Sequence, residues 1–125
     1  MEPCKNLLIA ECGRSLQTAL HPYLKEKGYK VKVVNSFKDV LTTLQEEKIH
    51  VLVLDVALSE GMGCDAISII SGLDRGLPII VTTEVNNPEQ ESMIRKKRIF
   101  YYHVKSFGMD ELFLAISNAM MRSVH

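Results

Sequence analysis

The sequence predicts an α/β fold in which helices cover both faces of a central parallel sheet. Three observations support this prediction: five apolar runs of strand length alternate with longer segments of helical period, the middle run is continuously apolar, and a hydrophobic fraction of 46% is enough for a buried core. Regular alternation of this kind is typical of doubly wound sheets. The chain has 125 residues, so we expect one domain that covers residues 1–125.

The first βα unit opens with a short apolar run at residues 7–10, as expected for a strand buried on both faces. An amphipathic helix follows from Ser15 and ends near Gly28, a residue suited to a helix C-cap. Its apolar stripe repeats every four residues at Leu16, Leu20 and Leu24. Pro22 lies inside this helix and predicts a kink there, because proline removes one backbone hydrogen bond.

The second and third units differ in how much of the strand is expected to be buried. Residues 29–34 alternate apolar side chains with lysines, which predicts an edge strand with one wet face. Ser36 is placed to cap the helix that follows. Residues 51–54 form the most hydrophobic run in the chain, which ends abruptly at Asp55, and a loop with Gly61 and Gly63 comes next.

The last two units have the same pattern. Residues 77–81 predict a fourth strand that closes at Thr82 and Thr83. Asn87 and Pro88 indicate the start of a helix, as the cap and the first-turn residue. Residues 99–104 predict a fifth strand and residues 110–122 a final helix.

The composition excludes several classes of protein. Lys plus Arg and Asp plus Glu both number 15, so the strong basic excess of a direct nucleic-acid binder is absent. The run of residues 95–98 is basic, but we interpret it as the solvated face of a helix. No apolar stretch approaches the roughly 18 residues of a membrane span. The three cysteines form no CxxC pair and predict reduced thiols in the cytoplasm.

Reactive side chains follow four of the predicted strands. In open parallel sheets the carboxyl ends of the strands face one crevice, so we expect these side chains to converge there. They are Glu11 and Cys12 after the first strand, Asp55 after the third, Thr82 and Thr83 after the fourth, and Lys105 and Ser106 after the fifth. A carboxylate can accept a phosphoryl group when a cation neutralises the charge around it, and a hydroxyl can bind the new phosphate.

These residues resemble the receiver domain of two-component response regulators, from Leu7 to about Met121. The matching features are the apolar strand that ends at Asp55, Gly63 eight positions later, Thr83 five positions after Pro78, Tyr102, and the Lys105 segment. The resemblance implies a flavodoxin-like (βα)5 fold with strand order 2-1-3-4-5. Counting from Pro78 favours Thr83 over Thr82 as the family's hydroxyl.

The resemblance also implies roles for individual residues. Asp55 would be the phosphoacceptor, with Thr83 and Lys105 binding phosphoryl oxygens and with Thr83 and Tyr102 acting as the conformational switch. Mg²⁺ would be held by Glu11, Asp55 and the backbone carbonyl of Ala57. The chain would be a signalling module rather than an enzyme, with at most self-catalysed phosphorylation and dephosphorylation.

Partners follow from the same resemblance. A histidine kinase or phosphotransfer protein would donate the phosphoryl group. The output would pass through the face of the fourth helix, fifth strand and fifth helix to a downstream protein, an output domain outside this chain, or a second copy in a homodimer. We expect no contact with nucleic acid or with a membrane.

Four departures from the family pattern bear on this function. Cys12 stands where a second acidic residue usually binds the metal, and a neutral thiol is a poor Mg²⁺ ligand. Glu84 replaces a small residue beside the pocket, where its charge would repel a phosphodonor. Ser106 and Ser59 replace prolines, and the bond before Ser106 is expected to be trans.

These departures leave a second hypothesis open. In it the receiver scaffold survives as a docking or dimerisation module that works without phosphorylation. A small cofactor-binding enzyme is disfavoured, because there is no GxGxxG motif and Glu11 stands where a cofactor phosphate would bind.

Overall fold

A computed structural model describes residues 4–59 and 65–122. Its five parallel strands form one sheet in the order β2-β1-β3-β4-β5, which confirms the predicted fold and strand order. The strands are β1 (Asn6–Ala10), β2 (Lys30–Val34), β3 (Val51–Asp55), β4 (Ile79–Thr83) and β5 (Tyr101–Val104).

The helices alternate with the strands along the chain. They are α1 (Ser15–Lys27), α2 (Phe37–Glu46), α3 (Asp65–Leu73), α4 (Pro88–Arg95) and α5 (Asp110–Arg122). The predicted caps are confirmed: Ser36 and Asn87 accept hydrogen bonds from the first turns of α2 and α4, and Gly28 closes α1 at a φ of 74°. Helix α1 continues through Pro22 without a break, and the kink expected there stays a prediction.

The sheet separates two hydrophobic cores. One core joins α2, α3 and α4 to the side chains at Leu52, Leu54 and Val81. The other joins α1 and α5 to the side chains at Val51, Val53 and Ile80. Successive side chains of a strand point to opposite faces of the sheet. The core that a strand's buried residues join therefore tells on which face its last residue lies.

Several strand boundaries differ from the prediction by one or two residues. Strand β4 begins at Ile79 rather than at residue 77, because Pro78 has no N–H to donate to the sheet. Strand β5 begins at Tyr101 rather than at residue 99, and β2 at Lys30 rather than at residue 29. Strand β2 is an edge strand, as predicted, and its first three residues are exposed.

No cis peptide bond occurs within residues 4–59 or 65–122, so the bond before Ser106 is trans as expected. Gly63 lies outside the described residues. Within those same two stretches, none of the helices has both the length and the apolar character needed to cross a membrane.

Candidate functional site

Asp55 is the centre of the candidate site. It is the last residue of the central strand β3, and it is 5% exposed. Its Oδ1 atom accepts a hydrogen bond of 2.9 Å from the Thr82 hydroxyl and lies 3.2 Å from the Lys105 ammonium. The convergence of a carboxylate, a hydroxyl and an ammonium at the carboxyl ends of β3, β4 and β5 is therefore observed.

The two threonines at the end of β4 face opposite sides of the sheet. Thr82 pairs with Asp55 in the β3–β4 register and lies on the same face as Ile80, whereas Thr83 lies on the face of Val81. The Thr83 hydroxyl instead donates to the Val85 carbonyl at 3.3 Å. The hydroxyl beside Asp55 thus belongs to Thr82, the register that the sequence disfavoured, and the role assigned to Thr83 stays a prediction.

Lys105 follows β5 directly and is largely buried, with 13% of its side chain exposed. Its ammonium contacts Asp55 at 3.2 Å, Glu84 at 3.0 Å and the Ser15 hydroxyl at 3.5 Å. Burial lowers the pKa of Lys105, but the hydrogen bond with Glu84 and the charge of Asp55 outweigh this effect and raise it above its usual value of 10.5. Lys105 is therefore a firmly charged counter-ion of Asp55.

Glu84 lies at the mouth of this pocket. It follows β4 directly, and 70% of its side chain is exposed, in contrast to 7% for Asp55. Its Oε1 atom holds the same ammonium that neutralises Asp55. The sequence predicted an acidic group beside the pocket, but it did not predict that this group would pair with Lys105.

Glu11, a predicted metal ligand, is bound to helix α1. The side chain is 1% exposed, and its two oxygens accept hydrogen bonds from the backbone N–H groups of Leu16 (3.1 Å) and Gln17 (2.8 Å). Arg14, at the N-cap position, contributes no side-chain hydrogen bond. Glu11 therefore satisfies the free N–H groups that a helix start leaves, which is the work of an N-cap.

The donor set does not fit the Mg²⁺ site that the resemblance implies. Within residues 4–59 and 65–122, no group of three or more His, Cys, Asp or Glu side chains is arranged to hold a metal ion. Both Glu11 oxygens are engaged, and Cys12 presents an exposed thiol. Ala57 lies in a short 3₁₀ turn, Val56–Ser59. Because Glu11 is engaged by α1, the Ala57 carbonyl and the Asp55 carboxylate are what remains of the three ligands that the resemblance implies.

Tyr102 lies on the other face of the sheet, with its ring 4% exposed. Its hydroxyl donates to Gln90 at 3.4 Å, and the Arg95 guanidinium lies 5.7 Å from the ring centre. Burial raises the pKa of Tyr102, as does the charge of Glu91, while a hydrogen bond with Thr83 opposes the shift. Tyr102 thus contacts helix α4 through Gln90 and Arg95, and its switch role stays a prediction.

His103 is a residue whose position in the site the sequence analysis missed. It pairs with Thr82 in the β4–β5 register, so Asp55, Thr82 and His103 form a row across three strands. The ring is 1% exposed, and among the described residues neither of its nitrogens has a hydrogen-bond partner. The sequence did contain a signal for this position: His103 stands in a predicted strand, where its side chain points to the opposite face from those of Tyr102 and Val104.

We expect His103→Leu to stabilise the protein and to remove part of its acid sensitivity. Burial lowers the pKa of His103 from its usual value of 6.5, although the Gly108 backbone and the Glu111 carboxylate oppose the shift. The unfolded chain then gains a proton near pH 6.5 that the folded protein does not, so stability is lost as the pH falls below 6.5. Urea unfolding at about pH 7.5 should give a gain of about 1 kcal/mol, because two unpaired nitrogens are removed. If His103→Leu and wild type differ in unfolding free energy by the same amount at about pH 5.5 as at about pH 7.5, the proposed titration of His103 is contradicted.

A family model described as "Response regulator receiver domain" matches residues 7–117. Curated relatives include the transcriptional regulatory protein GlrR of Escherichia coli (strain K12), which is 25% identical over 118 residues. That match covers 94% of this chain and 27% of the relative. The CAI-1 autoinducer sensor kinase/phosphatase CqsS of Vibrio cholerae is 22% identical, with 86% of this chain and 16% of the relative covered. The chain thus spans about a quarter or less of these relatives.

Solved structures support the same fold. A CheY-like response regulator receiver domain protein from Methanospirillum hungatei JF-1 has a TM-score of 0.84 at 17% identity and 97% coverage of both chains. The signal receiver domain of a putative Luxo repressor protein from Vibrio parahaemolyticus also gives 0.84, at 20% identity, covering 97% of this chain and 93% of the other. Together with the family match, which covers most of the sequence, these findings mean that the chain belongs to the response regulator receiver domain family.

Proposed function

We propose that this chain is a phosphoryl-accepting receiver module of a two-component or phosphorelay system, with Asp55 as the acceptor. The observation that carries the proposal is the contact of one buried carboxylate with both an ammonium at 3.2 Å and a hydroxyl at 2.9 Å. A carboxylate needs such neighbours to receive a group that itself carries negative charge. The donor would be a histidine kinase or a phosphotransfer protein.

The family gives this proposal its context. Receiver domains are generally signalling modules rather than enzymes, typically bind Mg²⁺ in an acidic pocket, and interact with kinases or phosphotransfer proteins and with output domains. In this chain we propose that Lys105 supplies most of the neutralising charge, because the described ligand set for Mg²⁺ is incomplete. We further propose that residues 1–125 act as one domain in the cytoplasm.

The transfer itself would use side chains already in contact. An Asp55 oxygen attacks the phosphorus atom, a new oxygen–phosphorus bond forms, and the bond from phosphorus to the donor's leaving group breaks. A donor imidazole would depart with the electron pair and take up a proton. Lys105 and Thr82 are placed to donate hydrogen bonds to the phosphoryl oxygens, one from an ammonium and one from a hydroxyl.

The output would use the face of α4, β5 and α5. Apolar side chains are exposed on both helices of this face, namely Met93 on α4 and Leu114 and Met121 on α5. Exposed apolar groups of this size are suited to a protein partner, an output domain or a second copy of the chain. Thr83 and Tyr102, which lie on the same side of the sheet, would bias two pre-existing conformations of this face.

Incubation with Mg²⁺ and acetyl phosphate is expected to add one phosphoryl group to the wild-type protein. Intact mass spectrometry measures the gain, and Asp55→Asn is the matched control because it keeps the shape of the side chain and removes the nucleophile. A gain that persists in Asp55→Asn would place the chemistry at another residue and refute the proposed acceptor.

A Cys12→Asp variant separates two explanations for an unlabelled wild type. If labelling appears in Cys12→Asp, the loss of a metal ligand limits the natural protein. If neither protein is labelled by acetyl phosphate or by a phosphorylated donor protein, the proposal of phosphoryl acceptance fails.

A second candidate is a docking module that does not use phosphorylation. The observation that favours it is the pairing of Lys105 with Glu84, because the ammonium already has two carboxylate partners. In this case Asp55→Asn would leave partner binding unchanged, whereas substitutions at Met93 or Leu114 would weaken it.

A further inference from the structure

Lys105 has no spare hydrogen-bond donor. An ammonium group carries three N–H bonds, and three acceptors surround this one: Asp55, Glu84 and Ser15. A phosphoryl oxygen can bind Lys105 only by displacing one of them. The Ser15 contact is the weakest at 3.5 Å and involves no charge, and Asp55 is the acceptor itself. The carboxylate that competes with the phosphoryl group for the ammonium is therefore Glu84.

The charges at the pocket point in the same direction. Asp55 and Glu84 each carry one negative charge and Lys105 one positive charge, so the three groups together have one net negative charge. An anionic donor that approaches Asp55 therefore meets a carboxylate at the pocket mouth before it meets a free cation. Because 70% of the Glu84 side chain is exposed, it can swing into solvent at small cost in packing.

We infer that Glu84 is a specificity residue, which occupies Lys105 in the resting protein and selects against small anionic phosphodonors. The inference rests on the proposed phosphoryl acceptance at Asp55. In the resting protein Glu84 forms the shortest contact with the Lys105 ammonium, so a phosphoryl oxygen that binds Lys105 has to compete with this carboxylate. A donor that offers its own cation to Glu84 would overcome this barrier, whereas acetyl phosphate offers none.

The test compares wild type, Glu84→Gln and Glu26→Gln in two assays at fixed Mg²⁺. Binding of beryllofluoride, a phosphoryl mimic, is followed by NMR, and labelling by acetyl phosphate is followed by intact mass. Glu26→Gln is the matched control. It removes the same charge in the last turn of α1, which lies at the amino ends of the strands, away from the pocket. We expect Glu84→Gln to bind beryllofluoride about five- to tenfold more tightly and to be labelled faster, since one unit charge near the site is removed.

Salt and a second variant identify the cause. The advantage of Glu84→Gln should shrink as ionic strength rises, because an exposed charge is screened. If Glu84→Ala binds more tightly and Glu84→Gln does not, the effect is one of volume and the inference is overturned. If wild type is labelled on Asp55 and Glu84→Gln behaves like it, the inference fails while the proposed function stands. If neither protein binds beryllofluoride, and neither is labelled by acetyl phosphate or by a phosphorylated donor protein, the proposed function fails, and the inference with it.

Discussion

Glu11→Ala is expected to lower the free energy of unfolding by about 2 kcal/mol. The variant removes the acceptor for the backbone N–H groups of Leu16 and Gln17, and the first of these is buried. Arg14, the residue at the N-cap position of α1, makes no capping hydrogen bond with its side chain. Urea denaturation without divalent cations measures the change.

The sign of this result distinguishes two roles for Glu11. A carboxylate held in an acidic metal pocket would repel its neighbours when the metal is absent, so its removal would stabilise the protein. A helix cap gives the opposite sign. Glu11→Gln keeps one acceptor oxygen and should cost about half as much, while Glu26→Ala on the exposed face of α1 should stay within about 0.5 kcal/mol of wild type. A stabilised Glu11→Ala would refute the capping role.

Lys105→Met is expected to abolish phosphoryl acceptance and to destabilise the fold by about 2 kcal/mol. Methionine keeps the apolar stem but removes the ammonium, so that Thr82 is the one remaining side-chain partner of Asp55 among residues 4–59 and 65–122. A buried charge that loses its counter-ion is costly. The estimate lies below the usual range for fully buried pairs because the pocket opens to solvent at Glu84. Urea unfolding and acetyl phosphate labelling measure the two effects.

The double variant Lys105→Met, Asp55→Asn provides the control. If the cost of Lys105→Met comes from the unpaired carboxylate, most of the lost stability returns when Asp55 is neutral. The pKa of Lys105 is raised in the folded protein, so its contribution is fully present below about pH 10.5 and is lost as the pH rises through the folded value. Equal losses in the single and double variants would mean that the unpaired Asp55 carboxylate is not the source of the cost.

The parallel sheet and the meeting of Asp55 with Lys105 could be predicted from the sequence pattern, and the strand order from the resemblance to receiver domains. Alternation of apolar runs fixes the number of βα units, and in a parallel sheet all carboxyl ends lie at one edge. Asp55 and Lys105 each stand at such an end, so their proximity follows from topology without knowledge of any side-chain conformation.

The details that were missed depend on the direction of single side chains. Spacing from Pro78 favoured Thr83, but the alternation of faces along β4 turns Thr82 toward Asp55 instead. A residue count could not reveal that Glu11 folds back onto α1. A signal was present, however, because Arg14 is a poor N-cap and an acidic residue precedes it by three positions.

The neighbouring threonines of β4 also bear on how the protein can change in evolution. One peptide bond separates the layer of Asp55 from the layer of Tyr102, and the two cores share no buried side chain. Substitutions in the two layers then have few common neighbours, so their effects on stability are close to additive. A lineage can therefore remodel the surface around α4 for a new partner while the chemical pocket stays intact, or lose the pocket while the surface persists.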